Sequence, residues 1–211
     1  MTQVKDYRGI EFIETTDSMI LVKNSLNSVS SAVRQLNHLS RWERNIYSRE
    51  ILISELGFII FQFRRHFWTI IQFVDSLAYS KYESDAEILS KYLNTPALYY
   101  SVGDTFGDFQ YTFFSNGICV EKLRVEESEG LVFESVLRPS VSIENIKSRY
   151  QFVNDFFIKQ DIYIPVLSSN ISLTQETSSQ RVVLELWNTF SNKPQKFRYS
   201  DFEGFDYLAT N

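Results

Sequence analysis

The chain has 211 residues, 44% hydrophobic and 22% charged, with a formal net charge of −5. That length suits one sizeable core, and the balance excludes a largely disordered protein. The acidic total argues against wholesale binding to phosphate backbones, and the single cysteine, Cys119, excludes an intrachain disulfide.

Aromatic residues reach 16%, with 18 Phe and 12 Tyr, so the core is expected to be built on large rings. The opening MTQVKDYRGIEF has no apolar signal stretch. No apolar run of about 18 residues is free of charge either. GFIIFQFRRHFWTIIQFVDS, residues 57–76, comes nearest, but its two arginines fall where the membrane centre would be. No membrane span is expected, and the cytoplasm is the expected address.

Residues 10–22 read as one or two strands around a polar turn at Thr15–Ser18. Residues 28–39 read as a helix, because Val29, Val33, Leu36 and Leu39 recur at spacings of three and four. Residues 41–56 fit a helix or a strand. Leu52 and Leu56 sharing a face, and Gly57 placed to close a helix, favour the helix. Residues 58–63 and 67–74 read as central strands, apolar on both faces, joined by a polar tip at Arg64–His66.

Ser84-Asp85-Ala86-Glu87 has the form of a capping box and predicts a helix buried through Ala86, Leu89 and Leu93, ended by Asn94-Thr95-Pro96. The segment ALYYSV follows as a strand. Asn116-Gly117 is the turn of a hairpin, since both residues tolerate the positive φ of a type I′ turn. A two-residue loop pairs Ser115 with Ile118, Phe113 with Val120, Tyr111 with Lys122 and Phe109 with Arg124.

Residues 131–137 predict a strand, and Ser142 predicts the cap of a long helix over 143–159. IYIPV follows as a short strand. Residues 168–180 read as a polar loop, RVVLELW as a strand, and SDFEGFDYLAT as the site of a last short strand. Hairpin-joined strands with few helices imply an α+β fold: a mainly antiparallel sheet of six to nine strands with three or four helices packed on it. Residues 1–211 form one domain, or two subdomains divided near residue 130.

Motifs for chemistry are scarce. Nucleophilic cysteine chemistry has only Cys119, His38 and His66 to draw on, and Cys119 reads as a small buried hydrophobe between Ile118 and Val120. One Cys and two His without metal-ligand spacing give no zinc pattern. VGDTFGDF, with Gly103 and Gly107, matches neither common nucleotide loop. Asp104, Asp108, Glu126, Glu127 and Glu129 read as solvated loop charge, and Glu134, Glu185 and Asp206 are carboxylate nominees only by position. No cofactor is expected.

Two binding patterns remain. Arg64, Arg65 and His66, with Trp68 beside them, would present bidentate donors and an aromatic anchor to an anionic ligand or an acidic partner. The bland alternative is a solvated turn. Phe109, Tyr111 and Phe113, alternating on one strand opposite Lys122 and Arg124, would suit stacking of single-stranded bases. The bland alternative there is a core face. The leading expectation is a non-enzymatic protein-binding domain, interaction or inhibitor-like, with an unidentified protein partner. A small-ligand binder or enzyme using His66 as its acid–base group is the alternative. Single-stranded nucleic-acid binding ranks third.

Overall fold

A computed structural model describes residues 17–54, 56–74, 80–102, 109–126, 130–146, 149–164, 166–172, 180–188 and 195–210. The first described strand is β1, Asp17–Val22, so Asp17 and Ser18 of the expected turn belong to a strand; Thr15, Thr16 and the segment before them lie outside the described residues. Helix α1, Leu26–Leu36, starts earlier than the apolar spacing suggests, because the Ser25 hydroxyl accepts from the Ser28 amide at 3.3 Å.

Residues 41–56 are not a helix. They form two short strands, β2 (Arg41–Glu43) and β3 (Glu50–Ile53). Positive φ at Asn45 and Ser48 breaks any helical path between them. The Ile46 amide donates to the Phe205 carbonyl instead, and Ile51 and Ile53 alternate inward as a strand requires. Gly57 closes no helix. It leaves room for Tyr207, whose ring would lie 2.5 Å from any Cβ added there.

Strands β4 (Phe58–Phe63) and β5 (Thr69–Phe73) are buried at every position, as their unbroken apolar pattern requires. Helix α2 spans Tyr82–Leu93, so the expected capping box lies inside its first turn. The Ser84 hydroxyl donates back to the Lys81 carbonyl at 3.0 Å rather than capping. Asn94 ends the helix in the left-handed conformation. Strand β6 is Ala97–Val102.

Strands β7 (Phe109–Ser115) and β8 (Ile118–Glu126) form the expected hairpin, with φ of 53° at Asn116 and 78° at Gly117. Ser115 pairs with Ile118 as expected, but the register beyond differs. A bulge between Phe113 and Phe114 makes Phe113 face Glu121, Thr112 face Lys122 and Tyr111 face Leu123. Strand β9 is Gly130–Ser135.

The predicted helix over 143–159 is divided. A 3-10 turn covers Ile143–Asn145, and α3 covers Arg149–Lys159. Ser142 makes no side-chain cap bond. Of IYIPV, Tyr163 forms an isolated bridge and Val166 opens the next strand. The expected polar loop begins inside β10, Val166–Ser172, which pairs with β11, Gln180–Asn188. After β12 (Gln195–Lys196), strand β13 (Phe202–Ala209) is far from a short terminal addition. It lies between β2 and β4 and is buried along almost its whole length.

The main sheet has nine antiparallel strands in the order β2-β13-β4-β5-β1-β6-β7-β8-β9. A smaller sheet pairs β11 with β10, β12 and β3. Helices cover both faces of the main sheet. Val29, Ala32 and Val33 of α1 and Ala86 and Leu89 of α2 pack on Ile20, Phe58, Ile60 and Ile71. Across the sheet, Phe156 and Phe157 of α3 and Leu184 of the smaller sheet pack on Met19, Phe61, Tyr100 and Tyr111. Rings dominate this second core, with Phe61 and Phe205 stacked at 5.0 Å and Phe63 and Phe202 at 4.9 Å. Each ring buried this way contributes about 1.5–3 kcal/mol of transfer free energy. Among the described residues no helix is long and apolar enough to cross a membrane.

Candidate functional site

The β4–β5 turn is built from beneath by Gln62. Its buried side-chain amide donates to the His66 carbonyl at 2.9 Å and to the Asn24 carbonyl at 3.3 Å, and its oxygen accepts from the Leu26 amide at 2.9 Å. The Arg64 amide donates to the Asp201 carbonyl at 2.8 Å, and the His66 amide to the Phe63 carbonyl at 3.1 Å. Arg65 takes a left-handed φ of 68°, which turns the chain back. The tip is therefore held in one shape by hydrogen bonds within the hairpin and to two other segments, at Asn24–Leu26 and at Asp201.

The structure brings Arg64, Arg65 and His66 together there but removes Trp68 from the group. Trp68 is 2% exposed; its indole packs on Phe113 and donates to the Gln160 carbonyl at 2.8 Å. The residue that faces outward is Phe67, 66% exposed. Both residues precede β5, and the contacts of Trp68 with Phe113 and Gln160 draw it in while Phe67 stays in the exposed bend. Arg64 and Arg65 are exposed, and an Arg64 Nη reaches toward the Phe202 carbonyl at 3.4 Å. The His66 ring lies against Phe63 at 5.9 Å and Tyr163 at 6.4 Å, which leaves it half-buried.

Two of the three rings on the aromatic strand face, Tyr111 and Phe113, are core. Tyr111 stacks on Phe156 at 5.2 Å, and Phe113 meets Phe156 edge-on at 5.4 Å, so α3 occupies the place a base would take. The Phe109 side chain lies outside the described residues. Lys122 and Arg124 point the other way. The bulge in β8 turns Lys122 toward α2, where it and Thr112 bond Glu83 at 2.8 and 2.7 Å. Burial alone would raise the Glu83 carboxyl. The bonds from Lys122 and Thr112, with Arg124 nearby, outweigh it and hold the group below its usual value. Cys119 is exposed rather than buried.

The same bulge brings Glu121 into the core. Arg138 donates to both its carboxylate oxygens, at 2.6 and 2.9 Å, and Ser135 donates at 2.6 Å. The Tyr111 hydroxyl donates to it at 2.7 Å and accepts from Arg138 at 3.0 Å. The Arg138 guanidinium lies over Phe152 at 4.0 Å. Burial first, and then the Glu121 carboxylate, push the Tyr111 phenol well above its usual value. Bidentate pairing with every remaining acceptor used is the geometry of a structural clasp, joining β7 and β8 to the segment after β9.

Of the carboxylate nominees, Glu134 is exposed and the Glu185 side chain lies outside the described residues. Asp206 is 3% exposed and accepts from three neutral donors: Trp42 Nε1 at 2.9 Å, Ser30 Oγ at 3.3 Å and the Asn45 amide at 3.3 Å. Asp104, Asp108, Glu127, Glu129, Gly103 and Gly107 lie outside the described residues. Among the described residues no three His, Cys, Asp or Glu are grouped to hold a metal ion.

Sequence reasoning passed over the surface around Trp42. The stretch RQLNHLSRWERNIYSRE, residues 34–50, carries Arg34, Arg41, Arg44 and Arg49 against Glu43 and Glu50. That local excess of cations in an acidic chain was the available signal. No family model matches the chain, and no curated protein or solved structure is similar enough to count as a match.

Proposed function

We propose that this is a cytoplasmic protein that works by binding another protein through the β4–β5 hairpin tip rather than by catalysis. The observation that carries the reading is Phe67, the most exposed aromatic ring among the described residues, set beside two exposed arginines. Large rings are normally withdrawn from water, and an aromatic with adjacent arginine is the composition of interface anchors. The tip's bonds to Gln62, Asp201 and Phe63 support the same reading, because a preformed turn loses little entropy on docking.

The test is photo-cross-linking in extract of the native host, with a benzophenone side chain at position 67. A discrete partner should be captured and should be lost in R64A/R65A, whose circular dichroism should match the parent. Equal capture by R64A/R65A, or by a probe placed at Val136 on another exposed segment, would refute the reading.

A further inference from the structure

We infer that the surface around Trp42 is a second binding site, separate from the hairpin tip, for an acidic peptide segment. Trp42 sits on β2, the outer strand of the main sheet, next to the C-terminal end of α1. An open depression of about 550 Å³ lies there, lined in part by Arg34, His38 and Trp42.

The depression has a fixed floor. Trp42 Nε1 donates to Asp206, itself 3% exposed and held by Ser30 and the Asn45 amide. The indole therefore cannot turn without leaving a buried carboxylate short of a donor. Two guanidinium groups stand over the ring, Arg44 at 4.2 Å and Arg34 at 5.9 Å. Neither is paired with a carboxylate among the described residues. Arg34 Nε donates to the Leu39 carbonyl at 3.2 Å, and Arg44 Nη2 to the Asn27 side-chain oxygen at 3.0 Å. Among the described residues, both Nη groups of Arg34 and Nε and Nη1 of Arg44 make no other hydrogen bond, so a ligand can use them. Stacking on tryptophan holds such a fork in place for bidentate use.

The end of α1 adds a histidine to the same surface. The Leu39 amide bonds the Arg34 carbonyl at 3.0 Å and the His38 amide the Gln35 carbonyl at 3.3 Å, the pattern of a helix closed by a left-handed residue. Glycine usually takes that position; here His38 does, with φ 52°, and the residue lines the depression.

Charge complementarity selects the occupant. Two unpaired guanidinium groups flanking one apolar ring fit carboxylates alternating with apolar contacts. A nucleic-acid track would call for a longer run of cations than this patch provides. Because the chain carries a net charge of −5, an acidic partner is held against an overall repulsion by local cations such as these.

The test is fluorescence anisotropy of full-length protein with fluorescein-labelled poly-glutamate, beside a single-stranded oligonucleotide of equal charge. Poly-glutamate should bind, more weakly as salt rises, and R34Q/R44Q should weaken it by about tenfold. R64Q/R65Q should leave it within about twofold, which keeps the outcome apart from that of the hairpin tip. Matching thermal melts would show that both variants fold. No binding of poly-glutamate, equal binding by R34Q/R44Q, loss in R64Q/R65Q instead, or tighter binding of the oligonucleotide would each overturn the inference.

Discussion

Glu121 shows how much one residue's placement can commit. A carboxylate removed from water is tolerated only when paired and fully hydrogen-bonded, and Arg138, Ser135 and Tyr111 together achieve that. Replacing Arg138 by leucine would leave the charge buried and short of its partner. R138L is expected to lose about 3–5 kcal/mol in urea unfolding, with the aromatic contacts around the guanidinium adding to the loss. The same cluster sets an alkaline limit. The native Tyr111 phenol titrates above its ordinary value near 10, while in the unfolded chain it ionises there. The contribution is whole below pH 10 and declines as the pH rises past it. Stability measured between pH 8 and 11 should fall in the parent and fall less in Y111F.

At the scale of elements, the β7–β8 hairpin carries both a readable signal and a hidden one. Asn-Gly announces the turn, but the bulge two residues later reverses which side chains share a face. Lys122 moves from beside Tyr111 to α2, and Glu121 takes the core position. The turn itself depends on glycine. Gly117 has a φ of 78°, and an added Cβ would lie 2.7 Å from Cβ of Lys91 on α2. G117A combines left-handed strain with that clash and is expected to cost about 1–3 kcal/mol, read as a lower melting temperature. The acid side has its own small dependence. Glu83 is held low by Lys122 and Thr112, so its bonds stabilise above its usual value of 4.5 and are lost as the pH falls below it.

For the whole molecule, the decisive strand is the last one. β13 joins β2 to β4, lends Phe202 and Phe205 to the aromatic core, and supplies Asp206 to the floor beneath Trp42. The main sheet therefore draws strands from both sides of residue 130, where a division into subdomains was one expectation. A chain ended at Asp201 should lose the dispersed amide spectrum of a folded protein, and one ended at residue 130, lacking β9 as well, should fare no better. A folded product from either truncation would show that the central strands can be covered without β13.

Much of the architecture was legible because it is local. The unbroken apolar runs of β4 and β5, the 3.6-residue stripe of α1 and the Asn-Gly turn are properties of short segments. They were enough to establish an antiparallel α+β chain with central, doubly covered strands. The misread segments are those whose outcome depends on distant partners. Residues 41–56 hold Ile46, Ile51 and Ile53, which become strand and loop positions because Phe205 and β11 receive them. The tip at Arg64 and Arg65 was visible as polarity between apolar arms. Which aromatic faces outward beside it was not, because α3 and Gln160 draw Trp68 in and leave Phe67 outside. The Trp42 surface needs α1, β2 and β13 at once, and about 160 residues separate Trp42 from the Asp206 carboxylate that fixes its ring. Periodicity reports which face of an element is buried; only long-range packing decides what each face meets.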